Sequence, residues 1–490
     1  MFTITGKIAT DNGIGMGKYK RLLSNTVILG IGTFASKVLV FLLMPLYTSI
    51  LSTSEFGIAD ILTQTANLLI PLAAVGICDG MFRFALDTAD ADDEQSAKRI
   101  FTVGMIVVAA GGAVSLGVVQ LLRAFSVFDG YVFLVAAYII CANLHSAVAN
   151  FIRARGKTTM FAAQGIANTA LTIGLNLLFL VVFRMGAYGY VLSVVVSDLI
   201  ITVGVFFAAR LYRYFSPRSV DKATFGAMLR FSVPYIPTTM MWLITSASDR
   251  YIVTAFCGSA ENGLYAAAYK LPTLLSLVCG VFIEAWQFSV VKDADESERE
   301  GFFSSVFKNY MGIIFMGASV IIAASKIFTE LLLADSYYDS WQYVPVLVIA
   351  TAFSALVSFL GSVYFLEKKS VLSMVTSMAG AVINVILNFL LIPERGAMGA
   401  AVATLISYGA VYAIRAYDTK YYVRFRLHTG KVLVNAAVLL GQAFIMIGEF
   451  RYWKYAQIAI LLFMLVFNGK DMIMAVKPIA RKILKKSKKN

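Results

Sequence analysis

Leu51-Ser-Thr-Ser-Glu-Phe-Gly57 joins two long apolar runs, and Phe256-Cys-Gly-Ser-Ala-Glu-Asn-Gly263 joins two more in the same way. Glu55-Phe-Gly57 is echoed by Glu261-Asn-Gly263 about 206 residues later. A second pair of echoes follows. Gly186-Ala-Tyr-Gly189 matches Gly396-Ala-Met-Gly399, and Leu175-Asn-Leu-Leu178 matches Leu387-Asn-Phe-Leu390, at offsets of roughly 210 and 212. One spacing shared by separate segments marks an internal duplication. The stretch Leu22 to Phe84 thus occurs twice, and the chain reads as two tandem six-helix units with a tail.

Composition places those helices in a membrane. Of 490 residues, 59% are hydrophobic and only 14% charged, where a soluble chain carries about a quarter charged. Many apolar runs are long enough to cross a hydrocarbon core of about 30 Å. We place fourteen spans near 23–50, 57–84, 101–124, 130–152, 159–183, 187–209, 230–256, 263–290, 303–333, 343–366, 370–392, 397–416, 431–448 and 453–474. The expected fold is all-α: a polytopic membrane protein of 14 transmembrane helices, two parallel six-helix repeats plus two C-terminal helices. The expected divisions are an N-terminal cytoplasmic tail (1–21), a first bundle (22–210), a cytoplasmic linker (211–229), a second bundle (230–418), helices 13 and 14 (419–476) and a basic cytoplasmic tail (477–490).

The net charge of +14 could signal nucleic acid or membrane, and its distribution decides for membrane. Alternate loops and both termini hold 31 of the 42 Lys and Arg, and the opposite loops hold four: Arg184, Arg395, Arg451 and Lys454. The positive-inside rule puts both termini in the cytoplasm. Six spans per repeat return the chain to its starting side, so the repeats are parallel. The basic tail Lys482 to Lys489 suits anionic lipid headgroups. Met16-Gly-Lys-Tyr-Lys-Arg21 reads as a natural start ahead of the first span, without a cleavable signal peptide.

Chemistry-bearing motifs are few. The glycines at 13–17 and Gly156-Lys157-Thr158 lack the spacing of a phosphate loop. The four cysteines are scattered in apolar runs and the two histidines, His145 and His428, are far apart, so no metal site and no cofactor are expected. The outer loops are short and no catalytic constellation occurs, so the chain is not expected to be an enzyme. Ser52-Thr-Ser-Glu55 fits a capping box, and Asn176, Asn384 and Asn388 suit interhelical hydrogen bonds.

Charges at membrane depth mark functional sites, because an isolated one is costly in lipid. At 1.5 Å per residue, Lys37 lies roughly 20 Å along span 1, Asp249 and Arg250 about 25–30 Å along span 7, Asp198 about 15 Å along span 6 and Lys270 about 10 Å along span 8. In the repeat alignment Gln64 faces Lys270 and Leu243 faces Lys37, so these charges stand outside the shared scaffold. A cationic cavity lined by Lys37, Lys270 and Arg250 would suit an anionic group such as a diphosphate. Asp249 and Asp198 are candidates for a charge pair or a coupling ion. The alternative is that these charges pair with one another and hold the bundles.

Ser36-Lys37-Val-Leu, Pro45-Leu-Tyr47 and Leu51-x-x-x-Glu55-Phe-Gly57 resemble the first hairpin of the polysaccharide flippase family. Ser248-Asp249-Arg250-Tyr251, followed by Gly263-Leu-Tyr265-x-x-x-Tyr269-Lys270, resembles the start of that family's second half. These are exporters of O-antigen, capsule and exopolysaccharide repeat units, within the multidrug/oligosaccharidyl-lipid/polysaccharide exporter superfamily. The resemblance implies two six-helix bundles around a central cavity. It also implies an oligosaccharide linked to undecaprenyl diphosphate, moved to the outer leaflet of a bacterial inner membrane by alternating access. A proton or sodium ion would be the coupling cation, and a polysaccharide polymerase and glycosyltransferases the working partners. Readings left open are a multidrug or lipid II exporter of the same superfamily and a non-transporting membrane partner of a glycan assembly complex. Ser36-Lys37-Val-Leu-Val-Phe-Leu-Leu departs from the Arg-bearing stretch typical of lipid II flippases, and twelve spans are normal for drug extruders.

Overall fold

The computed structural model describes residues 43–90, 93–124, 130–233, 235–292, 299–367 and 369–469, and these are helical with no strand. Nine of the described helices are long and apolar enough to cross a membrane, or ten if one bent pair counts as a single span. The chain is thus a multi-pass membrane protein of all-α class. In a bilayer this architecture satisfies each backbone amide within its own segment.

The echoed glycines have a direct physical reason. Gly186 and Gly396 both adopt φ +56°, a left-handed conformation at the start of a tight interhelical turn. The glycine three residues on lets the new helix pass close to the one just finished: a Cβ on Gly189 would meet the Phe179 carbonyl, and one on Gly399 the Leu391 carbonyl. Ser370–Asp418 is accordingly two helices folded back at Gly396, just past Pro393.

The described residues group into two compact units, one containing Leu62–Pro237 and one containing Met44–Ile61 with Thr238 onward. In the first, helices Ile77–Asp90, Glu94–Ala124, Val132–Ala154, Thr158–Asn176 and Gly186–Ala208 enclose a core that includes Met81, Phe101, Phe151 and Met228. Leu177–Val182 continues Thr158–Asn176 as a π-helical turn. Asp221 caps Lys222–Ser232 by accepting from the Thr224 amide, which holds its exposed carboxyl below the usual carboxylate range.

In the second unit, helices Tyr235–Cys257, Ser259–Ala268, Lys270–Lys292, Arg299–Leu332, Val344–Leu366 and Ser370–Asp418 meet around stacked aromatics. Phe282 lies 4.3 Å from Tyr310 and Trp286 lies 5.0 Å from Phe359, ring centre to ring centre. The last two helices, Thr429–Ile447 and Trp453–Gly469, are held by amides. Gln442 accepts from Ser319 (2.8 Å) and donates to Gln457 (2.9 Å). Such bonds fasten helices where no hydrophobic force distinguishes a neighbour from lipid.

Three spans expected to be continuous are interrupted. The run 57–84 breaks after Ala73, where Val75 (φ 52°) and Gly76 (φ 63°) turn left-handed beyond Pro71. The run 230–256 is divided between Lys222–Ser232 and Tyr235–Cys257. The run 263–290 bends by 40° between Ala268 and Lys270. Pro272 lacks the amide that Ala268 would accept from, and its ring crowds that carbonyl.

Candidate functional site

The two echoed turns lie against each other within the second unit. Ser52 and Glu55 form the expected capping box: the Glu55 carboxylate accepts from the Ser52 amide and hydroxyl (both 2.9 Å), and the Glu55 amide donates to Ser52 Oγ (3.2 Å). One turn on, the Ser54 and Ser259 hydroxyls are 2.7 Å apart, and Asn262 donates to the Gly57 carbonyl (3.0 Å). A Cβ on Gly57 would overlap the Ser259 carbonyl, and one on Gly263 the Thr53 carbonyl. The duplicated glycines are therefore where the two helix starts cross backbone to backbone. Glu261 accepts from Tyr343 (2.7 Å) and from the Ala397 amide (3.3 Å), tying this crossing to the Gly396 turn.

Just inside the crossing lie the membrane-depth charges. Successive helix residues point about 100° apart, so Asp249 and Arg250 face different neighbours. Arg250 Nε is 2.7 Å from Asp60, and both side chains are largely buried. Its guanidinium also lies 4.7 Å from the centre of the Tyr269 ring. Lys270, at the first turn past the Pro272 bend, sits 5.8 Å from the Phe56 ring centre and within the fields of Asp60 and Arg250. Arg250 and Lys270 are thus brought together, around an acid from the first repeat. Lys37 lies outside the described residues.

Asp249 is fully buried and turned toward Ser370–Asp418. One carboxylate oxygen accepts from Tyr265 (2.8 Å) and Thr404 (2.7 Å), the other from Asn388 (2.6 Å). Asn384 continues the network, accepting from Ser248 (3.0 Å) and Asn388 (3.1 Å). Of the two readings of Asp249, a charge pair or a coupling ion, the close ion pair of Arg250 is with Asp60, and the Asp249 carboxylate is held by neutral donors. Asn384 and Asn388 do bridge helices, with a carboxylate at the centre of their bonds. Asn388 Oδ1 is buried without a hydrogen-bond donor. One buried carboxylate held by three neutral donors, two hydroxyls and an amide, is a group that can take up a proton. Among the described residues no group of three or more His, Cys, Asp and Glu could hold a metal ion.

Asp198 belongs to the first unit and has neighbours of its own, Asn168 at 2.8 Å among them. Asp60 is the charge that sequence reading passed over. Its signal was an acid one turn past Gly57 in an otherwise apolar stretch, a position occupied by Ala266 in the second repeat.

An inward-facing multidrug resistance MATE family transporter of the MOP superfamily is similar over 79% of this chain and 94% of its own, at 13% identity and TM-score 0.66. Lipid II flippase MurJ, in an inward closed conformation, is similar over 93% of this chain and 100% of its own, at 13% identity and TM-score 0.66. A MOP superfamily transporter from Pyrococcus furiosus is similar over 81% and 94% of the two chains, at 12% identity and TM-score 0.57. These likenesses establish the fold, and by their own descriptions the neighbours are transporters and a flippase rather than catalytic enzymes. No curated protein matches the chain. Residues 22–288, more than half of the chain, match the model of one family, described as polysaccharide biosynthesis protein, and the chain belongs to that family.

Proposed function

We propose that the protein is a flippase. It carries an oligosaccharide repeat unit on undecaprenyl diphosphate from the inner to the outer leaflet by alternating access, for polysaccharide biosynthesis. The family supports the glycan. The observation that carries the reading is the Asp60–Arg250–Lys270 cluster at membrane depth, joined to the crossing of the two repeats. Two cations against one acid leave positive charge for a diphosphate. Lys270, Lys37 and Arg250 meet it, with Asp60 setting the guanidinium in place. Lysine serves as a point charge and arginine as a fork.

Asp249 takes the coupling cation, a sodium ion or a proton. Its burial supports this, as do the Thr404 hydroxyl beside it and the donor-free Asn388 Oδ1. The setting is the inner membrane of a bacterium with two six-helix bundles, fourteen spans and both termini in the cytoplasm. Glycosyltransferases supply the substrate and a polymerase consumes it.

Complementation of a flippase-null strain tests these assignments. Lys37→Ala, Lys270→Ala and Asp249→Asn should insert at wild-type levels and restore at least about tenfold less surface glycan. That is the effect of losing one charge-assisted contact of about 1.5–3 kcal/mol. Lys37→Arg should retain part of the activity. Full complementation by all three neutral variants would overturn the charged-site assignment.

A further inference from the structure

Within the first unit a second titratable pair sits at membrane depth, on different helices from the cluster above. Tyr138, Cys141 and His145 recur at spacings of three and four on Val132–Ala154, so they share one face. That face meets Asp198 on Gly186–Ala208. His145 Nδ1 lies 3.3 Å from Thr202 Oγ1, and Thr202 stands one helical turn past Asp198, which puts the imidazole on the face of the helix that carries the carboxylate. Asp198 is buried, with 7% of its surface exposed. One of its carboxylate oxygens accepts from Asn168 of Thr158–Asn176 (2.8 Å), and Asn168 Oδ1 accepts from Ser197 (2.5 Å). Toward the other end of the same seam, Asn176 accepts from Ser193 (2.8 Å). Polar side chains thus line a three-helix seam with one carboxylate and one imidazole near its middle.

These two groups are the one carboxylate and the one imidazole of the seam among the described residues. Tyr138 and Cys141 also neighbour Asp198, and Tyr190 neighbours Tyr138. Thr158–Val182 has no ionisable residue. Glu94–Ala124 carries charge only at its ends, through Glu94, Lys98, Arg99 and Arg123. On Ile77–Asp90, Asp79 acts on Cys78 instead, and Arg83 pairs with Asp87. A network built only to glue helices needs amides and hydroxyls, as at Gln442 and Gln457. Here a carboxylate and an imidazole add one exchangeable proton between two helices, and histidine changes charge in the physiological range.

We propose that His145 and Asp198 form a proton-binding site of the first unit, separate from Asp249. The pair takes up one proton from one side of the membrane and gives it up to the other, while Asn168 and Thr202 hold the two groups in register. This rests on the transport reading only for its purpose. Coupling would then be shared between a cation at Asp249 and a proton at His145–Asp198.

The test is a pH titration of histidine-labelled protein in lipid nanodiscs, followed by nuclear magnetic resonance. The chain has two histidines, so His428→Gln assigns the spectrum. The His145 ring signals should titrate between pH 5 and 8. The midpoint should move by about one pH unit in Asp198→Asn, the scale of one nearby charge. A His145 signal that stays fixed over that range, or a midpoint indifferent to Asp198, would overturn the proposal. If Asp198→Asn does not insert, Asn168→Ser keeps both titratable groups and withdraws the amide. Its midpoint should also move, and an unmoved one overturns the site equally. The titration reads the site whether or not the chain flips a glycolipid, so the two ideas fail separately.

Discussion

Joining Ser54 to Ser259 should cut export by at least about tenfold. The hydroxyls are 2.7 Å apart, so cysteines at both positions bring their Cβ atoms within disulfide reach. Alternating access requires the two repeats to part at this crossing in one half of the cycle. Gly57 and Gly263 show how tightly they meet in the other half. Each single change, Ser54→Cys or Ser259→Cys, should export normally. The oxidised double variant should lose at least about tenfold of surface glycan, more than 1.4 kcal/mol on the transition between states. Reduction should restore it. Normal export by protein shown to be fully cross-linked would mean that the crossing never opens.

The second large effect is expected at the Arg250–Asp60 pair. Removing one member of a buried ion pair leaves the other charge uncompensated, at a cost of about 3–5 kcal/mol. Asp60→Ala and Arg250→Ala should each accumulate poorly and lose thermal stability in detergent. The exchange Asp60→Arg with Arg250→Asp should recover much of that loss. Lys270→Ala, which removes an ammonium over the Phe56 ring and leaves the Arg250–Asp60 pair in place, should keep wild-type stability while failing in export. Single variants at Asp60 and Arg250 as stable as wild type would show that the pair holds nothing.

The duplication was the most legible feature of the sequence, because Glu55-Phe-Gly57 and Glu261-Asn-Gly263 serve one geometric need, a backbone-to-backbone crossing. The Gly186 and Gly396 turns were legible for the same reason: φ +56° favours glycine. Helix breaks were harder to read. Hydropathy sees an unbroken apolar run across Ala73 to Ile77, since a left-handed kink at Val75 and Gly76 changes no side chain's polarity. Depth counting singled out Asp249, Arg250 and Lys270 as unusual. It did not reveal that Arg250 and Asp249 diverge around the helix, nor that Asp60 completes the pair from nearly two hundred residues away. His145 and Asp198 show the same limit. Asp198 is the one charged residue of its span and His145 the one histidine of its own, and only the packing of Val132–Ala154 against Gly186–Ala208 brings them to one seam.

Transport of the glycolipid itself is tested most directly with purified protein in liposomes. Undecaprenyl diphosphate bearing a short oligosaccharide is placed in one leaflet, and its arrival in the other is followed by a sugar-modifying enzyme that cannot cross. A flippase should equilibrate the leaflets at least about tenfold faster than empty liposomes, with Lys270→Ala close to the empty rate. Equal rates with and without the wild-type protein, with a cation gradient of either sign imposed, would contradict the flippase function.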